Sequence, residues 1–334
     1  MPRAHRRQTL SVVVPVFNEE DNLRPFLNAA NAALAELDMD VEIVFVDDGS
    51  ADRTFEVAAA LAREDSRVRC LRFSRNFGSA CAQLAGLRAA TGDAAVVISV
   101  DLQDPPELVP EMVERWRQGA KTVWAVRERR QDPWVQTQLS FLFYRVFRKI
   151  GVDDYPAGGM DFGLFDRRIL EHLREMRELN FFIPAIVMWY GYPSAQIGYA
   201  RRERVRGLTK WSLAKRFNLA LNAIVSFSFF PIRFISYLGV ALSALSMCYA
   251  ALVVVRRVSW GLGDVTGWPS LMIVILFIGG VQMVMLGMLG EYVWRSADQV
   301  RGRPQYIVME RAGFGNDRSD AEEREITLTA YEAR

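Results

Sequence analysis

Cysteine and histidine are nearly missing from this chain of 334 residues, which holds three cysteines (Cys70, Cys81, Cys248) and two histidines (His5, His172). The cysteines lack metal-site or redox spacing, which argues against a disulfide-stapled secreted scaffold, and the length allows roughly two domains to bury cores without staples. Two isolated imidazoles likewise leave no expectation of a zinc centre or a histidine-dependent triad. Lysine is scarce as well. Apart from Lys121, Lys149, Lys210 and Lys215, the 41 basic residues are arginines, the side chain suited to forked recognition of phosphate or carboxylate. Against 39 acidic residues the net charge is +2, too balanced for a protein that binds nucleic acid by releasing counterions, so no nucleic-acid partner is expected. Neither G-x-G-x-x-G nor G-x-x-x-x-G-K-[ST] occurs, which disfavours a dinucleotide-binding or P-loop fold. No apolar run of signal-peptide type follows the basic tail at residues 1–9, so the N-terminal domain is expected to stay in the cytosol.

What is present is organised in two compartments. Short β-branched runs at Leu10–Val16, Val41–Asp47, Val68–Phe73, Ala94–Val100 and Thr122–Val126 alternate with helical stretches at Asn22–Leu37, Thr54–Glu64 and Ser79–Thr91. That alternation predicts an α/β domain with a mostly parallel sheet, whose ligands would sit beyond the carboxyl ends of the strands. Residues 127–211, mixed and rich in arginine, read as a continuation of that domain carrying the second substrate, so the cytosolic domain spans residues 10–211. Residues 212–231 form an amphipathic stretch ending at Pro231, the pattern of a helix lying in a membrane interface. Residues 232–293 hold two apolar runs, Ile232–Val255 with one charge at Arg233 and the uncharged Ser270–Leu289. At 1.5 Å per residue the first reaches about 36 Å, enough to cross a ~30 Å hydrocarbon core with tilt. Basic residues flank the outer ends of the pair and only Arg256 and Arg257 lie between, so both termini are expected on the cytoplasmic side of an inner membrane crossed twice. Residues 294–334 then form a cytosolic C-terminal segment whose end, from residue 313, is acidic and aperiodic.

The chemistry gathers at predicted strand ends. Ser11–Glu20 runs from a buried strand into a polar turn, Phe45–Thr54 ends a second strand in Asp47 and Asp48 with Ser50 or Asp52 placed to cap the next helix, and Ser99–Glu107 offers Asp101 and Gln103. Hard oxygen donors without imidazole suit Mg²⁺ or Mn²⁺, which bind through one or two carboxylates plus substrate phosphates. Singly each motif is as readily a turn or helix start. Together they point to a metal-dependent nucleotide substrate.

In combination, PVFNEE (15–20), VDDGSADRT (46–54), SRNFGS (74–79), DLQDPPE (101–107), VRERRQDPW (126–134), RVRGLTKWS (204–212) and LGEYVWRSADQVRGRPQY (289–306) resemble family 2 glycosyltransferases of GT-A (Rossmann-like) fold. Within that family the likeness is to the polyprenyl-phosphate glycosyltransferases, of the dolichol-phosphate mannose synthase, bactoprenol glucosyltransferase and undecaprenyl-phosphate aminoarabinose transferase types, and it covers about residues 10–310. The resemblance implies that Pro15, Phe17, Glu19, Asp47 or Asp48, and Arg75 hold the nucleotide, with a UDP-sugar favoured, and that Asp101 and Gln103 hold Mg²⁺ or Mn²⁺ on the diphosphate. It implies that Arg127, Ser140 and Arg204 meet the phosphates of donor and lipid acceptor, that Lys210 matches an acceptor-side lysine, and that Asp161 matches a carboxylate often proposed as catalytic. A homo-oligomer is compatible with the family. The sequence departs from the family at Ser99, where a carboxylate is usual, and at Gln136, where relatives carry an arginine, while Pro184-Ala185 replaces an Arg-Gly of several relatives.

The implied reaction is an in-line displacement, with inversion, that moves a sugar onto a polyprenyl phosphate at the cytosolic membrane face for cell-envelope or lipid glycosylation. A processive polysaccharide synthase would carry a Gln-x-x-Arg-Trp motif, which does not occur here. The other alternative is a non-catalytic partner that binds nucleotide sugar or anchors a flippase, and Ser99 and Gln136 are the residues that favour it.

Overall fold

The structure, a computed structural model, describes residues 7–127, 160–179, 181–199, 230–260 and 267–314. The first half alternates as expected: β1 (Thr9–Val16), α1 (Leu23–Leu34), β2 (Asp40–Asp47), α2 (Thr54–Glu64), β3 (Val68–Phe73), α3 (Ser79–Ala89), β4 (Ala94–Val97), α4 (Val109–Arg117) and β5 (Thr122–Arg127). It continues through β6 (Met160–Asp166), α5 (Arg167–Glu175), α6 (Ile183–Trp189) and β7 (Ser194–Tyr199), then two long helices, α7 (Phe230–Trp260) and α8 (Trp268–Val300), and a last strand, β8 (Val308–Ala312). One eight-stranded sheet runs in the order β7-β5-β6-β4-β1-β2-β3-β8. The central pairs β4/β1, β1/β2 and β2/β3 are parallel and so is β5/β7, whereas β6 runs antiparallel between β4 and β5, and β8 antiparallel along β3.

Strands covered on both faces are apolar along most of their length, and β1 reads that way from Val12 to Val16, while the buried Ser11 is satisfied by Glu42 and the Gly92 amide. Val12, Val14 and Val16 pack with Phe26, Phe45 and Leu61 on the face covered by α1, α2 and α4, while Val13 points to Leu84, Leu87 and the α5 residues Ile169 and Leu170 on the other. Helix α1 buries Leu23, Phe26, Leu27, Ala30 and Leu34, a stripe of helical period. Gly86 lets α3 approach the sheet closely, because a Cβ there would run into Val13.

Beyond the sheet, Tyr237, Val240, Leu245 and Met247 on α7 and Leu271, Ile275, Phe277 and Leu286 on α8 are all exposed. Among the described residues one stretch, Phe277–Val300 in α8, is long and apolar enough to cross a membrane. The expected first run, Ile232–Val255, is helical within α7. The interfacial stretch 212–231 lies outside the described residues as far as 229, and its last two residues already belong to α7.

Two expectations are corrected. Strand β4 stops at Val97 instead of Val100, because the next residues turn to serve the site. Helix α8 runs on to Val300 and is followed by a strand, β8, that was not foreseen. Arg53, not Ser50 or Asp52, occupies the position before α2, although Asp52 Oδ1 accepts from the Thr54 amide at 3.1 Å. Strand β8 covers the edge left open by β3, and the chain leading to it is held by Gln299, which accepts from the Leu179 amide at 3.0 Å, and by Tyr306, stacked on Phe73 at 5.0 Å.

The junction of β6 and α5 rests on Asp166, which is buried and accepts from Lys121 Nζ at 2.8 Å, Trp116 Nε1 at 2.7 Å and the Arg168 amide at 3.1 Å. Burial alone would raise its pKa, but these donors outweigh it and hold the carboxyl below the ordinary value of 3.8. A lowered carboxylate stabilises the fold above its unfolded pKa, and the contribution is lost as acid protonates it. Asp166→Ala is therefore expected to cost about 3 kcal/mol in urea melts at pH 7, and less as the pH falls toward 3, because Lys121 and Trp116 lose their partner.

Candidate functional site

The loops after β1, β2 and β3 meet at the carboxyl edge of the sheet and satisfy one another's backbone. Ser50 Oγ accepts from the Asn18 amide at 2.8 Å, Asn18 Oδ1 from the Ala51 amide at 2.9 Å, Thr54 Oγ1 from the Glu19 amide at 2.9 Å and Glu20 Oε2 from the Arg53 amide at 3.1 Å. Asn18 takes a positive φ of 53°, which asparagine tolerates better than most residues. Gly49, at φ 70°, lies so close to the Arg75 backbone that no side chain fits between them. The polar density of PVFNEE and VDDGSADRT is thus largely the lacing of two turns.

The two adjacent aspartates behave differently. Asp48 accepts from the Phe77 amide at 2.7 Å and the Gly78 amide at 3.0 Å, which ties the loop before α3 to β2. Asp47 is fully buried, and its Oδ1 accepts from the Ser50 amide at 2.9 Å. Its Oδ2 has no hydrogen-bond partner among the described residues, and the nearest cation, Arg72 Nε, stands 3.6 Å away, itself unpartnered. Burial pushes both carboxyls above the usual aspartate value, against the pull of their hydrogen bonds. A buried acceptor left open at a sheet's carboxyl edge is what a ligand's donor group would complete. Pro15, Phe17 and Glu19 line the neighbouring strand end, half-buried, with Glu19 Oε2 accepting from Asn22 at 2.6 Å. Arg75 is exposed, its guanidinium 4.3 Å over the Phe77 ring.

After β4 the chain turns sharply, with Leu102 at φ 57°. Asp101 Oδ1 accepts from Ser99 Oγ at 2.9 Å and from the Gln103 amide at 3.2 Å. Ser99 Oγ also lies 2.6 Å from Asp104 Oδ2, and Asp104 Oδ1 accepts from the Tyr199 hydroxyl at 2.8 Å. One hydroxyl carries one proton, so Ser99 donates to one of two buried carboxylates at a time. Asp104 and Tyr199 were not foreseen. An aspartate before Pro-Pro reads as a helix start, and Tyr199 ends a strand distant in sequence.

Among the described residues no three carboxylate, imidazole or thiol groups converge as a closed metal cage. The donor chemistry of Asp101 and Gln103 nonetheless fits Mg²⁺ or Mn²⁺: hard oxygens on one turn, with Asp101 buried and held from two sides, suit an ion that takes its remaining ligands from substrate phosphates and water.

Arg127 ends β5, and Asp161 stands near the start of β6, at the same edge of the sheet. The β5/β6 register passes from Ala125↔Phe162 to Val126↔Met160, so Asp161 is the extra residue of a bulge, a feature common beside active sites. Ser140, Arg204 and Lys210, and with them Gln136, lie outside the described residues.

Residues 11–174 match the model of the family described as Glycosyl transferase family 2. A glycosyltransferase of Synechocystis sp. is 38% identical over 91% of this chain and 96% of its own. The bactoprenol glucosyl transferase of Shigella phage SfII is 40% identical over 90% of this chain and 97% of its own, and a prophage bactoprenol glucosyl transferase homolog of Escherichia coli is 40% identical over 90% and 98%. Among solved structures, glucosyl-3-phosphoglycerate synthase from Mycobacterium tuberculosis overlaps 65% of this chain and 78% of its own, at 20% identity and a TM-score of 0.45.

Proposed function

Because the chain belongs to glycosyl transferase family 2, we propose that it moves a sugar, with inversion, from a nucleoside-diphosphate sugar to a polyprenyl phosphate at the cytosolic face of a membrane. The observation that carries this reading is the convergence, on one sheet edge, of the open Asp47 acceptor with the Asp101–Gln103 donor pair, in a molecule whose α7 and α8 expose apolar side chains. The relatives named bactoprenol glucosyl transferase support the choice of acceptor.

Asp47, Pro15, Phe17, Glu19 and Arg75 receive the nucleotide, a uridine diphosphate by preference, while Asp48 holds the loop from which Arg75 reaches. Asp101 and Gln103 hold Mg²⁺ or Mn²⁺, which when bound offsets negative charge on the diphosphate leaving group. Arg127 and Arg204 bind the phosphates that meet at the reaction centre, and Ser140 and Lys210 the acceptor side. A phosphate monoester has its second pKa near 6, so the nucleophile arrives largely ionised and needs little help from a base. Asp161 then orients the sugar or the arginines. Helices α7 and α8 cross the membrane as a pair, preceded by the interfacial stretch, and both termini remain cytoplasmic.

The rival, a partner that binds nucleotide sugar without chemistry, draws on Ser99 standing where a carboxylate is usual. Titrating the full chain with UDP, with and without Mn²⁺, separates the two. The transferase reading expects affinity to rise with the metal, and a weak, metal-independent response contradicts it.

A further inference from the structure

Strand β8 follows the long helix α8, yet it reaches the donor side of the sheet. It pairs with β3 so that Glu310 stands opposite Arg72. Glu310 Oε1 takes Arg72 Nη1 at 3.0 Å, Glu56 Oε1 stands 3.9 Å from the same nitrogen, Nη2 lies 3.5 Å from the Ser50 carbonyl, and the guanidinium sits 5.3 Å over the Phe55 ring. Fixed at those points, Arg72 presents Nε to Asp47 Oδ2 at 3.6 Å, an ion pair beyond hydrogen-bond range, and both atoms are buried without a hydrogen bond. Two complementary groups that would gain by closing a few tenths of an ångström are kept apart by what holds the far end of the guanidinium.

We propose that Glu310 is a positioning residue for the donor site: by holding Arg72 back, it keeps the Asp47 acceptor open for the nucleotide. The proposal rests on the reading of Asp47 as a nucleotide contact. Without the Glu310 carboxylate, Nη1 keeps only the longer contact to Glu56, Arg72 can tighten its 3.6 Å ion pair with Asp47 into a hydrogen bond, and the nucleotide must then displace that bond. The segment after the last helix is thereby part of donor recognition, and a shift of α8 that moved β8 would be felt as a change in donor affinity.

The test measures binding of UDP, dTDP, GDP and CDP to the full chain in detergent by calorimetry with Mg²⁺ present, and follows the tightest of the four through Glu310→Ala, Arg72→Gln and the double variant. Glu310→Ala, which leaves no oxygen to hold Arg72 Nη1, is expected to weaken binding about tenfold, with the donor KM rising and kcat little changed, as for the loss of a ground-state contact. In the Arg72→Gln background the same change should have no effect, because the cation it restrains is gone, and that non-additivity distinguishes restraint from a general loosening of β8. Equal affinity in Glu310→Ala and the unaltered chain, or an equal loss in both backgrounds, overturns the proposal while leaving the donor site standing. If the unaltered chain binds none of the four nucleotides, the donor-site reading fails and the proposal with it.

Discussion

Asp101→Asn is expected to lower sugar transfer at least about a hundredfold while the melting temperature stays close to that of the unaltered chain. The amide oxygen of asparagine can still accept from Ser99 Oγ and the Gln103 amide, at 2.9 and 3.2 Å in the structure, so the turn keeps its shape. What disappears is the negative charge that pairs with a divalent ion. Mn²⁺ affinity, read by calorimetry in the presence of UDP, should fall with the rate, and turnover of the unaltered chain should stop in EDTA. Turnover indifferent to EDTA would remove the metal from the account. Ser99→Asp provides the converse. It sets a third carboxylate between Asp101 and Asp104, which the Ser99 hydroxyl now bridges, so the variant should melt lower without metal and recover with Mn²⁺, which it binds more tightly.

Asp47→Asn is expected to weaken nucleotide binding at least about tenfold and yet raise the melting temperature, because binding and stability make opposite demands on this carboxylate. Asparagine Oδ1 can keep the bond from the Ser50 amide, now 2.9 Å, but an amide nitrogen replaces the open acceptor Oδ2. The carboxyl is raised chiefly by burial. A carboxylate whose folded pKa lies above its unfolded one penalises the fold when ionised, and the penalty is relieved as the pH falls through the folded value. The stability gap between variant and unaltered chain should accordingly be widest near neutral pH and narrow in acid. A variant that binds UDP normally would move the nucleotide away from Asp47.

The boundaries of β1, β2 and β3 were legible within a residue because short, mostly apolar runs end at polar turns, acidic after β1 and β2 and closed by Gly78 after β3, signals that act over a few residues. Strand β4 was read three residues too long. Ile98 and Val100 are as apolar as a strand requires and are buried, but the backbone there turns to set Ser99, Asp101 and Asp104 around one hydroxyl. Strand β8 was missed because Val308–Ala312 shows no alternation, and its place depends on an edge of β3 that comes from far earlier in the chain. The site was legible as a location more than as roles. Adjacent in sequence, Asp47 and Asp48 looked equivalent, and only packing separates a carboxylate spent on the Phe77 and Gly78 amides from one with an oxygen left open. Asp104 and Tyr199 meet across the fold and leave no local signature.

The central claim, sugar transfer to a lipid phosphate, is tested most directly by incubating membranes containing the full chain with a panel of labelled nucleotide sugars and undecaprenyl phosphate, then extracting the lipids. One donor should carry label into a lipid that mild acid cleaves to free sugar, and the label should be absent from membranes containing Asp101→Asn. Label that stays in the aqueous phase with every donor, or that enters lipid equally with Asp101→Asn, would contradict the account.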